Sequence, residues 1–179
     1  QQLAETPMLF RETKNPESYI IVPRVSSENR RYIPLGFLDK NVIPTDSATI
    51  VENAEIYDFG ILTSNVHMAW MRVVAGRLKS DYRYSKDIVY NNFPWPNPTE
   101  VQKAKIEATA QGILDARALY PGSSLADLYD ELTMPPELRT AHQNNDKAVM
   151  EAYGFDWRKM SESDCVAELM KLYQQLTSK

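Results

Sequence analysis

The chain has 179 residues, of which 43% are hydrophobic and 25% charged, and its formal net charge is −4. This composition is typical of a globular protein that buries a core, and it excludes fibrous and disordered classes. The single Cys165 excludes an internal disulfide and a cysteine-based zinc site, and no apolar run approaches the roughly 20 residues that cross a bilayer. We therefore expect a cytoplasmic protein with no membrane partner. The polar, proline-dotted start at Gln1 indicates a piece of a longer protein.

The charge is unevenly distributed along the chain. Residues 1–98 are neutral, and residues 99–179 account for the whole net charge of −4. Between the two halves, residues 93–98 combine two aromatic side chains with three prolines, which stop a strand and restrict the preceding residues. We therefore predict two domains, at residues 1–98 and 99–179.

The first half alternates short β-like segments with turns. Residues 3–17 show no period and predict an extended lead-in, whereas the segments that follow are β-branched, aromatic and bounded by turn residues. Together they predict a small, bent, mostly antiparallel sheet. The predicted strands are residues 19–25, residues 30–38 as the antiparallel partner, residues 42–43 and residues 48–51.

The hydrophobic period then changes to that of one packed helix. Residues 61–75 place apolar side chains on a single face, Thr63 or Ser64 can cap the start, and Gly76 stands where a left-handed C-terminal cap is expected. Residues 78–84 alternate again, which predicts a strand with Lys79, Asp81 and Arg83 on one face. Residues 88–90 are predicted to continue it.

The second half has helical signals throughout. Thr99 and Gln102 form a capping-box pattern for a helix that ends near Leu119. Further helices are predicted from Ser124 to about residue 132, from Pro135 or Pro136 to about residue 154, and after Ser161. The predicted fold class is therefore α+β, in which the bent sheet and its packed helix are followed by an all-α C-terminal subdomain.

No catalytic centre is recognisable in the chain. His67 and His142 are the only histidines and have no partner at metal-ligand spacing, so structural roles are expected for both and no metal site is predicted. Cys165 is expected to be a packed thiol. Residues 92–95 (NFPW) differ in order from the Asn-Pro-Pro-aromatic motif of amino-methyltransferases, and we interpret them as an aromatic-proline stop that packs the helical half onto the sheet.

Residues 76–96 are the part of the chain where cations, aromatics and strand-like alternation coincide. From Arg72 to Lys86 five cations stand against a single acid, Asp81. Two interpretations are open at this point. The stretch is either a surface that contacts DNA phosphates and bases or a solvated, charged strand.

Several sequence segments of this chain resemble the C-terminal part of the MmeI-like (type IIL) enzymes, which are single-chain DNA restriction-modification proteins. The resemblance covers nearly the whole chain and lies in long segments in one order. These segments are residues 20–27 (IIVPRVSS), 32–38 (YIPLGFL), 59–64 (FGILTS), 76–85 (GRLKSDYRYS), 88–96 (IVYNNFPWP) and 124–130 (SLADLYD).

The resemblance implies a function for each half. Residues 1–98 would be most of a DNA target recognition domain, similar to those of type I specificity subunits, and residues 99–179 a helical C-terminal domain. Double-stranded DNA and the chain's own upstream methyltransferase domain would be the partners. The parent would be an adenine-N6 DNA methyltransferase that uses S-adenosylmethionine, with Mg²⁺ if a nuclease is also present, and no cofactor would bind this part.

The resemblance also assigns base-contacting residues. In the family, the two positions that follow Gly-Arg-Leu and flank one residue choose a base pair together, and here they are Lys79 and Asp81. Lysine donates to guanine O6 and N7 and a carboxylate accepts from cytosine N4, so we predict a G·C pair with guanine near Lys79. Arg83 is a second candidate, and Asp46 and Ser47 are weaker ones. The expected phosphate contacts are Arg24, Arg30, Arg31, Arg72, Arg77 and Lys86.

A different class of function is also compatible with the composition. The acidic helical half could dock a partner as a protein-interaction scaffold, with the basic stretch as solvated surface. The two hypotheses differ in the salt dependence of DNA binding, which must be steep if several phosphates are contacted.

Overall fold

A computed structural model of the chain describes residues 16–178. The predicted lead-in at residues 3–17 therefore lies almost entirely outside the described residues. The elements in chain order are β1 (Ser18–Pro23), β2 (Val25–Ser26), β3 (Gly36–Asp39), β4 (Ala48–Glu52), α1 (Ile56–Leu62), α2 (Asn65–Val74), β5 (Gly76–Leu78), β6 (Asp81–Arg83), a π-helical turn (Lys86–Tyr90), α3 (Glu100–Ala118), α4 (Leu125–Leu128), α5 (Pro136–Ala152) and α6 (Glu162–Thr177).

The strands form two small antiparallel sheets. The first has the order β3-β1-β4, so that β1 is central, and the second has the order β2-β6-β5. Because β1 ends at Pro23 and β2 begins at Val25, the chain passes from one sheet to the other through Arg24 alone. This single-residue crossing fixes the relative placement of the two sheets.

The helical part of the first half differs from the prediction. Two helices replace the single one expected at residues 61–75, because the chain turns at Thr63 and the Ser64 side chain accepts a hydrogen bond from the His67 amide to start α2. Gly76 is not a left-handed cap: α2 ends at Ala75 in an extended conformation, and Gly76 is the first residue of β5.

Four strand predictions also need correction. Residues 42–43 form no strand, and within the predicted partner at residues 30–38 only residues 36–38 pair with β1, in a strand that continues to Asp39. The predicted strand at residues 78–84 is interrupted at Lys79 and Ser80, and residues 88–90 belong to the π-helical turn. That turn forms where the Trp70 indole N–H donates to the Val89 carbonyl at 3.0 Å, a contact that local periodicity cannot show.

The helical half agrees closely with the sequence. Thr99 and Gln102 form the expected capping box at the start of α3, and Ser161 and Asp164 form one at the start of α6. Pro136 is the first residue of α5, and Ser124 starts the short α4, which ends earlier than expected. The predicted fold class, an α+β first half followed by an all-α subdomain, is confirmed.

The two halves share one hydrophobic core. Helix α1 packs so closely on α3 that a Cβ added at Gly60 would lie 2.7 Å from Ile106 Cγ2. The aromatic-proline segment connects the helical half to helix α2: Phe93 contacts the His67 ring edge-on, and the hydroxyl of Tyr153, just after α5, donates to the Pro94 carbonyl at 2.8 Å. The first half is therefore supported along its inner side by the helical half.

Buried polar contacts reinforce this junction. Asp146 of α5 accepts hydrogen bonds from the Tyr32 hydroxyl at 2.6 Å and from the Asn65 amide, at the start of α2, at 2.7 Å. The Asn145 side chain donates to the Gly60 carbonyl at 2.7 Å. Because Tyr32, Gly60 and Asn65 belong to the first half and their partners Asn145 and Asp146 to α5, the polar network fixes how the halves meet.

Candidate nucleic-acid interface

A cleft of about 320 Å³ opens where the two sheets meet. Three of its lining side chains are cations and one is an acid. The lining residues are Arg24, Thr49, Arg83, Tyr84, Ser85, Lys86 and Asp87. The cleft thus brings together Arg24, Arg83 and Lys86, which the sequence analysis assigned to DNA from distant parts of the chain.

Backbone hydrogen bonds hold the walls of this cleft. Beyond the end of β1, the Arg24 amide donates to the Ser47 carbonyl at 2.9 Å, and the Tyr84 amide donates to the Arg24 carbonyl at 2.8 Å. In the second sheet Val25 pairs with Arg83. Because Arg24 is bonded on both sides, its side chain leaves the backbone at a defined point between the sheets.

The floor of the cleft is anchored on helix α2. The Tyr84 hydroxyl lies 3.0 Å from His67 Nε2, and both side chains are buried. Burial raises the pKa of Tyr84 and lowers the pKa of His67 to about 3, so both groups are neutral at physiological pH. The cleft cations therefore lie over side chains that carry no charge. The Trp70 to Val89 hydrogen bond links the same helix to the adjacent π-helical turn.

The cleft cations have no acidic partner within residues 16–178. The side chains of Arg24, Arg83 and Lys86 are exposed and form no ion pair or hydrogen bond with another described residue. Elsewhere in the described chain, Lys and Arg side chains such as Lys105, Arg139 and Lys171 pair with carboxylates. The cleft therefore presents three cations that form no ion pair with a described carboxylate.

A β-hairpin, β5 and β6, projects beside this cleft. Leu78 pairs with Asp81, so Lys79 and Ser80 form a two-residue turn between the strands. Lys79 has φ of 56°, in the left-handed region that favours glycine. The prediction that Lys79 and Asp81 alternate along one strand is therefore wrong; they flank the turn residue Ser80, with Lys79 at the tip and Asp81 on β6.

The outer face of the second sheet carries the other predicted base contacts. Side chains on paired antiparallel positions point to the same side, so Arg83 shares a face with Val25, and Asp81 shares it with Leu78. Tyr82 between them points inward and is 8% exposed. Val25 and Leu78 are 41% and 52% exposed. This apolar pair was not predicted from the sequence, because local alternation does not show that β2 pairs with β6.

The predicted turn residues Asp46 and Ser47 lie at the start of β4. Both are exposed, and the Thr45 and Ser47 hydroxyls are 2.6 Å apart. The Ser47 carbonyl accepts the Arg24 amide hydrogen bond, so this turn borders the cleft through its neighbour Thr49. The fold thus brings the weaker candidates to the same region as Arg83.

Two predicted phosphate contacts are instead engaged at the junction with the helical half. Arg72 donates to both carboxylate oxygens of Glu162, at 3.1 and 3.0 Å, and to the Arg31 carbonyl at 2.5 Å. Arg31 lies over the Tyr32 ring. These contacts favour structural roles for Arg72 and Arg31. Arg30 is half-buried, and its amide closes a turn with Ser27.

Arg77, another predicted phosphate contact, is held against the hairpin. Its guanidinium carbon lies 3.9 Å from the centre of the Tyr82 ring, and Nη1 donates to the Ser80 carbonyl at 2.7 Å. Nη1 is also 3.6 Å from a Glu28 carboxylate oxygen. Three groups of the protein therefore surround this side chain.

The remaining reactive side chains are packed in the interior. His142 is buried between Tyr32 and Tyr129, and burial together with Arg117 and Arg31 lowers its pKa to about 3. Burial raises the pKa of the Cys165 thiol. Across residues 16–178, no group of three His, Cys, Asp or Glu side chains could hold a metal ion. None of the helices in the described part of the chain is long and apolar enough to cross a membrane.

Family models define the class of this molecule as a target recognition module with an attached C-terminal domain. Residues 1–97 match the target recognition domain of MmeI, and residues 98–179 match the C-terminal domain of MmeI. The chain belongs to the MmeI family, as its sequence resemblance predicted.

Two relatives show how far the similarity extends. The chain is 45% identical over 181 residues to DNA methyltransferase A of Bacillus subtilis (strain 168), covering 99% of this chain and 20% of that protein. It is 48% identical to the type IIL restriction-modification enzyme MmeI, whose structure in complex with DNA superposes with a TM-score of 0.93 over 100% of this chain and 24% of that one. The chain thus spans about a fifth to a quarter of the length of these relatives.

Proposed function

We propose that this chain is the sequence-specific DNA target recognition part of a DNA methyltransferase or restriction-modification enzyme, and that it contacts base edges in the major groove. The observation that carries the proposal is the cleft between the two sheets, where Arg24, Arg83 and Lys86 converge without acidic partners within the described residues. Phosphate contacts require such unpaired cations, and the adjacent hairpin supplies side chains for bases.

The assignment of individual residues follows their placement. Lys79, Asp81 and Arg83 are the principal base-contacting side chains, and Asp46 and Ser47 contribute from the turn beside them. Arg24 and Lys86 neutralise phosphates on the walls of the cleft, and Arg30 is a further proposed phosphate contact. Hydrogen bonds from such side chains to base edges carry on the order of 1 to 3 kcal/mol of discrimination each.

The parent enzyme is proposed to be an adenine-N6 DNA methyltransferase that acts in the cytoplasm. The similarity to relatives named as a methyltransferase and a restriction-modification enzyme supports this activity. S-adenosylmethionine would supply the methyl group in the parent's upstream methyltransferase domain, and Mg²⁺ would be needed there only if the parent also cleaves DNA. That upstream domain is the second proposed partner of this chain.

The salt dependence of DNA binding tests the proposal. Each phosphate neutralised contributes about 0.9 to the slope of log K against log salt for duplex DNA. Arg24→Gln and Lys86→Gln are each expected to reduce the slope by about 1 and to weaken binding equally for all sequences. Lys171→Gln is the matched control, since this exposed lysine pairs with Glu168 on α6. A flat salt response of the intact enzyme would contradict DNA recognition and favour a protein-interaction scaffold.

A further inference from the structure

The hairpin turn that carries Lys79 has an unfavourable backbone conformation. Lys79 has φ of 56°, and a left-handed conformation is unfavourable for an L-residue other than glycine because Cβ approaches the following carbonyl oxygen. Two-residue hairpin turns normally relieve this cost with glycine or asparagine, and neither is present at Lys79 or Ser80. The conformation must therefore be stabilised by contacts from outside the turn.

Arg77 supplies those contacts. Its guanidinium donates to the carbonyl of Ser80, the second turn residue, at 2.7 Å. The guanidinium carbon of Arg77 also lies over the Tyr82 ring, 3.9 Å from its centre, and Tyr82 is buried. One side chain thus connects the turn to a fixed aromatic ring on the opposite strand, where Arg77 and Tyr82 are paired residues.

The environment of Arg77 disfavours a direct phosphate contact. The nitrogen that bonds Ser80 is also 3.6 Å from Glu28, and a phosphate would have to replace that carboxylate while the ring covers one face of the guanidinium. Arg24 and Lys86, in contrast, have no ion pair with any residue in the described part of the chain. Arg77 therefore already has a protein carboxylate and a protein carbonyl beside it on the surface.

We infer that Arg77 is a positioning residue, which holds the Lys79–Ser80 turn so that Lys79 and Asp81 meet one base pair in a fixed geometry. This inference rests on the proposed DNA recognition. A base-contacting group must be held within about 0.5 Å of its productive position to discriminate. Loss of the Arg77 contacts releases the turn, so it removes discrimination at that base pair and leaves phosphate contacts elsewhere intact.

The test separates the charge of Arg77 from its geometry. Arg77→Lys keeps the positive charge but lacks the planar fork that spans Ser80 and Tyr82, and Arg77→Met lacks both. Binding of the intact enzyme to duplexes that differ at single base pairs is measured at several salt concentrations. Both variants are expected to lose tenfold or more of the discrimination at the pair selected by Lys79 and Asp81, with a salt slope within a few tenths of wild type.

The opposite pattern overturns the inference. If Arg77 contacts a phosphate, Arg77→Lys would keep full discrimination. Arg77→Met would then lower the salt slope by about 1 and weaken binding to all sequences equally. Preference at the base contacted by Arg83, on the same hairpin, is the internal control for folding. If both preferences disappear together, Arg77 supports the hairpin as a whole and the specific assignment fails. A wild-type enzyme with no sequence preference would instead refute the proposed function itself.

Discussion

At the scale of single residues, Lys79 and Asp81 are the side chains that we propose select a base pair. Lys79 is exposed at the tip of the turn, Asp81 is half-buried on β6, and neither forms an ion pair with another residue among 16–178. A lysine offers donors to guanine and a carboxylate offers acceptors to cytosine N4. The two side chains therefore have the complementary chemistry that a G·C pair presents in the major groove.

Exchanging this chemistry is expected to change the preferred base pair. The double variant Lys79→Asp with Asp81→Lys reverses donor and acceptor, so the preference for guanine near residue 79 should fall by about 1 to 3 kcal/mol per contact. Methylation of a randomised duplex library by the intact enzyme, followed by sequencing, measures the preference at each position. The conservative variant Asp81→Glu is the control. An unchanged profile for the double variant would refute the assignment of these residues.

The sequence predicted which cations gather in the cleft, but it did not separate them from the arginines that are engaged within the protein. Arg24, Arg83 and Lys86 were identified from charge and family resemblance, and the structure gathers them in one cleft. Arg72 and Arg77 have the same charge and equally basic surroundings in sequence. Their partners, Glu162 in α6 and the Tyr82 ring, become visible only when helix α6 and the hairpin are in place.

At the scale of elements, capping signals were reliable and strand alternation was not. The capping boxes at Thr99 and Ser161 are local in sequence, and both helices begin where those patterns predict. The turn at Lys79 has no glycine signal, and alternation continues through it in sequence although the chain reverses. The π-helical turn is stabilised by Trp70, nineteen residues before its partner Val89. Contacts of this kind override local preference.

Alanine substitutions at two helical glycines are expected to change the free energy of unfolding in opposite directions, because one of the glycines lies in the contact between α1 and α3. A Cβ at Gly60 would lie 2.7 Å from Ile106 Cγ2 and 3.0 Å from Ala110 Cβ, whereas a Cβ at Gly112 would meet no atom within 4 Å. We expect Gly60→Ala to destabilise the fold by about 1 to 3 kcal/mol through overpacking. Gly112→Ala should stabilise it by roughly 0.5 to 1 kcal/mol through helix propensity.

Urea denaturation of the two variants and the wild-type chain measures both effects. The pair is matched, since each substitution adds one methyl group inside a helix and changes no charge. Equal changes in the free energy of unfolding would show that the α1–α3 contact adapts to the extra methyl group, which would contradict the close packing of the recognition and helical halves.

At the scale of the whole molecule, the helical half supports the β5–β6 hairpin through buried polar groups as well as apolar packing. Asp146 bonds both Tyr32 and the first amide of α2, the helix that leads into β5. The same helix carries His67 under the cleft and Arg72 against Glu162. The orientation of α2, and with it the start of the hairpin, is therefore set from the helical half. Sequence periodicity did not predict this coupling, because its residues are up to 114 positions apart.

The buried groups at this junction predict how stability depends on pH. Burial lowers the pKa of His67 and His142 to about 3 from 6.5, so the unfolded chain binds protons that the folded chain does not. Their contribution to stability is complete above pH 6.5 and is lost as the pH falls toward 3. Burial raises the pKa of Asp146 from 3.8 to about 6, so its contribution has the opposite sign and grows as the pH falls from 6 toward 4.

Asp146→Asn removes this opposing contribution and leaves both histidines in place. The variant is therefore expected to lose stability more steeply than wild type between pH 6 and pH 4, by about 2 kcal/mol across that interval, because a shift of roughly two pKa units is worth about 3 kcal/mol in total and part of it falls outside these pH values. Urea denaturation of both chains at pH 7, 6, 5 and 4 measures the difference, in which the titrations common to both proteins cancel. Parallel curves would mean that the Asp146 carboxyl titrates alike in the folded and unfolded chains, and the buried link between the halves would then have no part in the acid response.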